Sequence, residues 1–182
     1  MTGMELKILD WIQTIHTPIV DAFMCFITSL GNVGEIWIVL AVALIAIPKT
    51  RKSGIIVAAA LIIDGVLCSG NLKNVFRRIR PFDVNTVVQV LITKPHDFSF
   101  PSGHTSASFA AATALYLAKE RKLFIPTLVL ACLIAFSRMY LYVHYPTDIL
   151  GGLLLGIASA YLAYWCQKKI QAVRRNSEKL AS

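Results

Sequence analysis

The chain is built from apolar stretches separated by short polar connections, a pattern that indicates helices crossing a membrane. Six stretches stand out: Pro18–Leu30, Ile36–Ile47, Gly54–Gly70, Thr105–Ala118, Leu123–Val143 and Ile149–Trp165. Several are shorter than the roughly 20 residues of a spanning helix, so we expect their ends to extend into flanking polar residues, or the bilayer to thin locally. Asp21 and Thr28 interrupt the first stretch, which leaves a buried, shielded helix as the alternative there. The pattern predicts an all-α integral membrane bundle of six transmembrane helices.

The N-terminal segment has a different pattern. Apolar residues recur there at helical spacing between Gly3 and His16, namely Met4, Leu6, Ile8, Leu9, Trp11, Ile12 and Ile15. This spacing predicts that residues 1–17 form an amphipathic helix lying at the membrane interface. Charged residues are mixed into the segment and no small-residue cleavage site follows a continuous apolar stretch, so we expect no cleavable signal peptide.

Composition agrees with a membrane protein. Of the 182 residues, 56% are hydrophobic and 15% are charged, and the mean hydropathy is +0.63. We expect one membrane-embedded domain, 1–182, because two cores would each have too little sequence. The net charge of +8 suits an anionic membrane surface or substrate. It does not indicate nucleic acid, because the charges are not interleaved with exposed aromatic residues. The four cysteines lie in apolar runs without metal-binding spacing and are expected to be buried, and no obligate protein partner is evident.

Basic residues in the short loops predict the orientation in the cell membrane. They cluster in the loops at Lys49–Lys52 and Lys119–Lys122 and in a tail, residues 167–182. If six helices alternate, these segments share the cytoplasmic side, and both termini are cytoplasmic. The connection between the third and fourth stretches breaks the rule, because it carries Lys73, Arg77, Arg78, Arg80 and Lys94 on the extracytoplasmic side. The position of these basic residues therefore needs a local explanation.

One explanation of the exception is an anion site. Lys73 and Arg80 are seven positions apart and Arg77 is four after Lys73, so a continuous helix would place all three on one face. Pro81 is expected to end that helix after Arg80. The alternative is a solvated basic helix end that contacts lipid headgroups.

A second motif, Phe100-Pro101-Ser102-Gly103-His104-Thr105, stands immediately ahead of an alanine-rich apolar stretch. Ser102 is a natural N-cap, and Gly103 allows close approach of a ligand to the backbone. The free N–H groups of a helix start favour an anion, so His104 would lie at the edge of a phosphate-sized pocket. Capping without any ligand is the alternative.

A third motif contains Ser137-Arg138, His144 and Asp148. Pro146 suits the first residue of the last helix, which puts His144 on the preceding turn and Asp148 in the first helical turn. The Asp148 carboxylate could then accept a hydrogen bond from Nδ1–H of His144 and leave Nε2 unprotonated. A purely structural histidine is the alternative.

Together, Lys73-x6-Arg80-Pro81, Pro101-Ser102-Gly103-His104 and Ser137-Arg138-x5-His144-x3-Asp148 resemble the three-part signature of the type 2 phosphatidic acid phosphatase family. Its superfamily also contains vanadium haloperoxidases. The resemblance implies that His144 attacks phosphorus to form a phosphohistidine, that Asp148 orients it, and that His104 protonates the leaving group. It also implies a phosphate cage of Lys73, Arg80, Ser102, Gly103 and Arg138, with no metal and no other cofactor.

The resemblance predicts an enzyme that removes a terminal phosphate from a membrane lipid at the extracytoplasmic face. Undecaprenyl diphosphate is the first choice of substrate, with phosphatidylglycerol phosphate and phosphatidic acid as alternatives. A vanadate-dependent haloperoxidase and a lipid transporter without chemistry are the other classes considered. Arg77 could bind a second phosphate or a lipid headgroup, and the role of Arg78 is left open. Asp64, within an apolar stretch, is expected to make a structural hydrogen bond, with a functional role as the alternative.

Overall fold

The computed structural model describes residues 2–181, with side chains described for residues 3–173, 176 and 177, and this part of the chain is helical without strands. The helices are α1 (Thr2–Gln13), α2 (Pro18–Leu30), α3 (Glu35–Ala46), α4 (Arg51–Leu67), α5 (Lys73–Phe76), α6 (Pro81–Val84), α7 (Gly103–Leu117), α8 (Arg121–Tyr140) and α9 (Pro146–Ala181). A 3₁₀ turn, Asn32–Gly34, precedes α3, and a π-helical turn, Cys68–Leu72, joins α4 to α5. Prolines begin α2, α6 and α9, as expected of a residue with fixed φ and no N–H.

The number of membrane spans differs from the predicted six. Within the described residues, three helical segments are long and apolar enough to cross a membrane: Arg51–Val84, Arg121–Tyr140 and Pro146–Val173. The first two predicted stretches, now α2 and α3, are bent by 43° at a short break and count together as one further candidate. The chain is therefore a helical membrane protein with three or four candidate spans, and six separate spans are not confirmed.

Helix α7 lies at the centre of the bundle, although it has only 15 residues. It packs against α4, α8 and α9, and its alanines 110, 111 and 114 are fully buried. Contact with α9 is close because α9 presents glycines: a Cβ at Gly152 would lie 2.6 Å from the Ser102 carbonyl oxygen, and one at Gly156 would collide with the Ser106 carbonyl. Small residues let helix backbones approach in this way. The packing brings the start of α7 next to the start of α9.

Helix α1 packs on the bundle with one face and exposes the other. Leu9 and Ile12 are buried against residues 140–145, whereas the exposed face carries an apolar stripe of Met4, Ile8 and Trp11, and the exposed Ile15 follows the helix. The stripe suits an interfacial helix but does not establish one. Gln13 Nε2 donates to the Tyr140 carbonyl at 2.9 Å, so α1 lies at the end of the bundle where α8 ends.

The opposite end of the bundle carries the basic loops. Ser53 Oγ donates to Glu120 at 2.7 Å, and Gln167 donates to the Lys52 carbonyl at 3.2 Å, so the two basic loops and the start of the predicted tail are neighbours. Helix α9 continues through the tail to Ala181, while Ser182 and the side chains of 174, 175 and 178–181 lie outside the described residues. Cys132 and Cys166 are exposed, not buried as predicted.

Candidate active site

A cavity of about 480 Å³ opens between α3, α4 and α7, at the same end of the bundle as α1. It collects residues from all three motifs. Its lining includes Lys73, Arg80, Gly103, His104, Arg138 and His144, together with Asp64 and Asp97. Ser102 and Asp148 are fully buried and lie behind this wall. Helix α1 lies at this end too, whereas the sequence predicted a cytoplasmic N-terminus and an extracytoplasmic site; the side on which each lies stays a prediction.

The cationic stripe predicted on one helix does not exist. Helix α5 ends at Phe76, and Arg77 adopts a left-handed conformation with φ of 45°. Arg77 is exposed, does not line the cavity, and donates Nε to the Asn74 carbonyl. The predicted continuous helix, which suggested a second-phosphate role for Arg77, was therefore wrong.

Lys73 and Arg80 reach the cavity separately. Lys73 follows the π-helical turn and is buried. Arg80 has an extended backbone, and Pro81 begins α6 instead of ending a helix, so the predicted role of Pro81 was also wrong. The Arg80 guanidinium is 3% exposed and donates NH1 to the Val143 carbonyl at 2.7 Å. The two cations thus converge from opposite ends of an irregular connection.

The second motif begins α7 as predicted. Ser102 is the N-cap, and its hydroxyl accepts from the Thr105 amide and lies 2.9 Å from the Thr105 hydroxyl. The hydroxyl is engaged there and does not line the cavity, whereas Gly103 and His104 do. His104 Nε2 lies 3.1 Å from Oδ1 of Asn32, in the break between α2 and α3. Asn32 was not anticipated from the sequence.

His144 and Asp148 lie together, as the spacing predicted. Pro146 is the first residue of α9, and Nδ1 of His144 is 3.4 Å from Oδ2 of Asp148. Ser99 lies beside both groups: its hydroxyl donates to the same Oδ2 at 2.5 Å and is 3.5 Å from Nδ1. The Tyr145 amide also donates to Oδ2 at 2.9 Å. The carboxylate is therefore fixed behind the imidazole.

The other ring nitrogen of His144 faces the cations. Nε2 is 3.3 Å from NH1 of Arg80, a separation at which an unprotonated nitrogen can accept from the guanidinium. Burial, followed by the positive charges of Arg80, Arg138 and Lys73, holds the pKa of His144 well below its usual value. The imidazole is thus neutral near pH 7, as an attacking nitrogen must be.

Arg138, at the end of α8, is buried and lines the cavity. Its NH1 donates to the Thr28 hydroxyl at 2.5 Å, so Thr28, which interrupts an apolar stretch, serves as its acceptor. Its Nε is buried and has no hydrogen-bond partner within the described part of the chain. An unpaired buried donor is costly, and an anion in the cavity could satisfy it.

Asp97 is an anionic residue at this cationic site. Its Oδ1 accepts from Arg80 NH2 at 2.6 Å, and its Oδ2 bonds the Lys73 ammonium. Burial alone would raise the pKa of Asp97, but hydrogen bonds and charges from Lys73 and Arg80 outweigh it and lower the pKa to about 2. The only indication of this placement in the sequence is the position of Asp97 shortly ahead of the second motif.

One further observation concerns metal binding. Among the described residues, no group of three histidine, cysteine, aspartate or glutamate side chains could hold a metal ion, and metal independence stays a prediction.

Asp64 accepts a hydrogen bond from Ser106 across the α4–α7 interface, which agrees with the structural role favoured from the sequence. It also lines the cavity.

Residues 53–172 match the PAP2 superfamily. The chain belongs to this superfamily. It is 30% identical over 161 residues to an undecaprenyl-diphosphatase of Sulfolobus acidocaldarius, covering 88% of this chain and 77% of that protein. It is 34% identical over 149 residues to the undecaprenyl-diphosphatase BcrC of Bacillus subtilis, covering 82% and 76%. The family assigned from the three motifs is confirmed.

The fold is similar to a solved member of the superfamily. A transmembrane PAP2-type phosphatidylglycerolphosphate phosphatase from Bacillus subtilis superimposes with a TM-score of 0.73 at 28% identity, covering 92% of this chain and 86% of that one. The relatives support a membrane location and confirm the predicted enzyme class, lipid phosphatase.

Proposed function

We propose that this PAP2 superfamily member hydrolyses the terminal phosphate of a membrane lipid diphosphate, undecaprenyl diphosphate, through a phosphohistidine on His144. The observation that carries the proposal is the environment of His144: a neutral ring with Asp148 behind Nδ1 and Arg80 beside Nε2, in a cavity that Lys73 and Arg138 also line. Such a ring can attack a phosphorus atom, and the carboxylate balances the positive charge that develops.

The reaction can be written for the residues that line the cavity. The Nε2 lone pair forms the bond to phosphorus while the bond to the leaving oxygen breaks, and His104, which must be protonated once the anionic substrate is bound, supplies the proton to that oxygen. Water then attacks the phosphohistidine, His104 takes up its proton, and inorganic phosphate leaves His144. His104 Nε2 lies against Asn32, and this contact would hold the ring until a leaving group replaces it.

The cations provide the charge stabilisation that phosphoryl transfer needs. Lys73, Arg80 and Arg138 line one cavity, and the buried Nε of Arg138 lacks a partner among the described residues. The Gly103 amide at the start of α7 adds a backbone donor to the same wall. Fixed donors of this kind act on the equatorial phosphoryl oxygens, and we assign no metal to the reaction. Asp97 has to share or yield its contacts when phosphate enters.

The choice of substrate rests on relatives and not on Arg77. Two relatives that are 30% and 34% identical are named undecaprenyl-diphosphatases, whereas Arg77 lies outside the cavity. Because a phosphatidylglycerolphosphate phosphatase has a similar fold, a phosphate monoester is the alternative substrate.

We further propose that the site faces the extracytoplasmic side. The basic loops, residues 49–52 and 119–122, adjoin one another at the end of the bundle away from the site, and basic loops favour the cytoplasm. With α1 at the site end, the N-terminal helix is extracytoplasmic in this orientation and the start of the tail is cytoplasmic.

The activity is tested by phosphate release from purified protein in EDTA, with undecaprenyl diphosphate, phosphatidylglycerol phosphate and phosphatidic acid as substrates. We expect the highest kcat/KM on undecaprenyl diphosphate and no release by His144→Ala. Release only on a monoester would overturn the substrate, and no release on any of them would overturn the function.

Orientation is tested separately with single cysteines at Asn85 and Lys169 in a background that lacks the native cysteines. An impermeant maleimide should label position 85 and not position 169 in intact cells. The reverse pattern would place the site in the cytoplasm.

A further inference from the structure

We propose that Arg78 positions the Asp148 carboxylate and is itself held by Glu5 of the N-terminal helix. Helix α1 thereby contributes a residue to the support of the active site. Glu5 lies outside the three motifs, and Arg78 occupies one of the unspecified positions between Lys73 and Arg80. The inference rests on the proposed function, because it assigns a purpose to the orientation of Asp148 behind the His144 ring.

Arg78 makes its contacts with both ends of its guanidinium. NH1 donates to Asp148 Oδ1 at 2.5 Å and to the Thr147 hydroxyl at 2.6 Å, while NH2 donates to Glu5 Oε2 at 2.5 Å. The guanidinium carbon lies 3.9 Å from the centre of the Tyr145 ring. A planar cation fixed by two carboxylates and an aromatic face has little freedom to rotate.

Glu5 is the residue that connects this cluster to α1. Its other oxygen, Oε1, accepts from the amide and the hydroxyl of Thr147, at 3.1 and 2.5 Å. The Glu5 side chain is 9% exposed, and Asp148 is fully buried. A buried carboxylate must be paired, and the Glu5 carboxylate pairs with Arg78 and with the first turn of α9. The first turn of α9 is also the turn that carries Asp148.

The two oxygens of Asp148 have separate partners. Oδ2 accepts from Ser99 and the Tyr145 amide and lies closest to His144, whereas Oδ1 meets the Arg78 guanidinium. Arg78 therefore fixes the plane of the carboxylate and aims Oδ2 at Nδ1. Without it, Ser99 and the Tyr145 amide would still hold Oδ2, but Oδ1 would be unanchored, so the carboxylate could rotate about Oδ2 and hold the Nδ1–H tautomer of His144 less firmly. Ground-state phosphate binding uses other residues, so the effect belongs in kcat and not in KM.

The test compares Arg78→Gln, Arg78→Lys, Glu5→Gln and the double variant of both glutamines, after wild type and His144→Ala have been assayed. Loss of a charged hydrogen bond predicts a kcat about 10- to 100-fold lower for Arg78→Gln, with KM within about twofold, and partial recovery in Arg78→Lys. Glu5→Gln should lose about three- to tenfold, since its bonds to Thr147 are partly kept. The double variant should be no worse than Arg78→Gln, because Glu5 acts through Arg78.

Two matched controls remove charge elsewhere. Arg51→Gln takes an exposed arginine, bonded to the Ile45 carbonyl, from the opposite end of the bundle, and Lys7→Gln takes an exposed charge from α1 itself. Both should keep wild-type kcat. Losses of equal size in these controls, additive losses in the double variant, or a loss that appears in KM would overturn the proposal.

Amide hydrogen exchange tests the same contacts without turnover. In Arg78→Gln and Glu5→Gln we expect faster exchange at the Tyr145 and Thr147 amides, and unchanged exchange in the Arg51→Gln control. Unchanged exchange in all variants would overturn the positioning role even if the enzyme is active. Faster exchange in an enzyme that releases no phosphate would support the contacts and overturn only the proposed function.

Discussion

Asp97 provides a sharp test of the cationic cavity, because its carboxylate holds two of the groups that a phosphoryl group would need. Asp97→Asn keeps the size of the side chain and removes its charge. The backbone carbonyl of residue 97 still accepts from Arg80 Nε at 2.8 Å, so the local chain should keep its path. The variant therefore separates competition by the carboxylate from collapse of the loop.

The expected size of the effect follows from the contacts. Asp97 bonds Lys73 and Arg80, and a hydrogen bond to a charged group contributes about 1.5–3 kcal/mol. The side chain is 53% exposed, so solvent screens the pair and hydrates the carboxylate when it is displaced. We therefore take the lower limit for the whole contact, about 1.5 kcal/mol, which corresponds to roughly tenfold in affinity.

The assay is inhibition of turnover by orthovanadate and by inorganic phosphate. Asp97→Asn should bind both inhibitors about tenfold more tightly, with a lower KM for the lipid and little change in kcat. Asp83→Asn, which removes an exposed carboxylate from α6, should leave the inhibition constants unchanged. If Asp97→Asn lowers kcat and leaves inhibitor binding as in wild type, Asp97 holds the two cations in place and does not compete with phosphate.

Three further predictions concern the site and its support. With an activated phosphate ester, rapid quench should trap labelled phosphoenzyme in His104→Ala and none in His144→Ala; wild-type labelling of the latter would refute the nucleophile. Arg80→Gln should move the acid limb of the pH profile of kcat/KM to higher pH, because losing a nearby positive charge raises the depressed pKa of His144. Arg80→Lys keeps the charge and should leave the limb in place. Acid limbs at the same pH in wild type and Arg80→Gln would refute this coupling. Gly156→Ala should destabilise the protein by about 1–3 kcal/mol through overpacking against α7, lowering its melting temperature, with Gly70→Ala, where nothing lies near the added Cβ, as the silent control.

The parts of the site that the sequence could predict are those fixed by local geometry. His144 and Asp148 are brought together by a four-residue spacing and a proline that begins a helix. Ser102 caps α7 because a short hydroxyl suits that position. In both cases only a few residues intervene, so tertiary packing had little room to change the outcome.

Elements set by tertiary contacts could not be predicted in this way. No glycine or proline lies between Lys73 and Arg80, yet the helix ends at Phe76, where Arg77 turns left-handed. The break lets Arg78 face Glu5 and Asp148 while the Arg78 carbonyl accepts from the Ser99 amide at 2.8 Å. These partners come from distant parts of the chain, and their combined contacts outweigh the local preference for a continuous helix.

The same reasoning applies to the bend between α2 and α3. Two apolar stretches of 13 and 12 residues can be two short spans or one broken span, and their hydropathy is the same in either case. What separates these possibilities is contact with other elements: Thr28 near the end of α2 meets Arg138, and Asn32 in the break meets His104. The break therefore lies at the depth of the site, which no periodicity in the sequence could reveal.

The basic connection between α4 and α7, which broke the charge rule for orientation, can be explained by what each cation contacts. Lys73 and Arg80 are buried in the cavity beside Asp97, and Arg78 is paired with two carboxylates. The remaining basic residues in this connection are Arg77 and Lys94, of which Lys94 lies over the ring of Phe82. Charges that are buried or paired inside the fold do not report on the side of the membrane as free loop charges do. The orientation signal therefore comes from the exposed loops at the other end, and the exception agrees with the anion site that we propose.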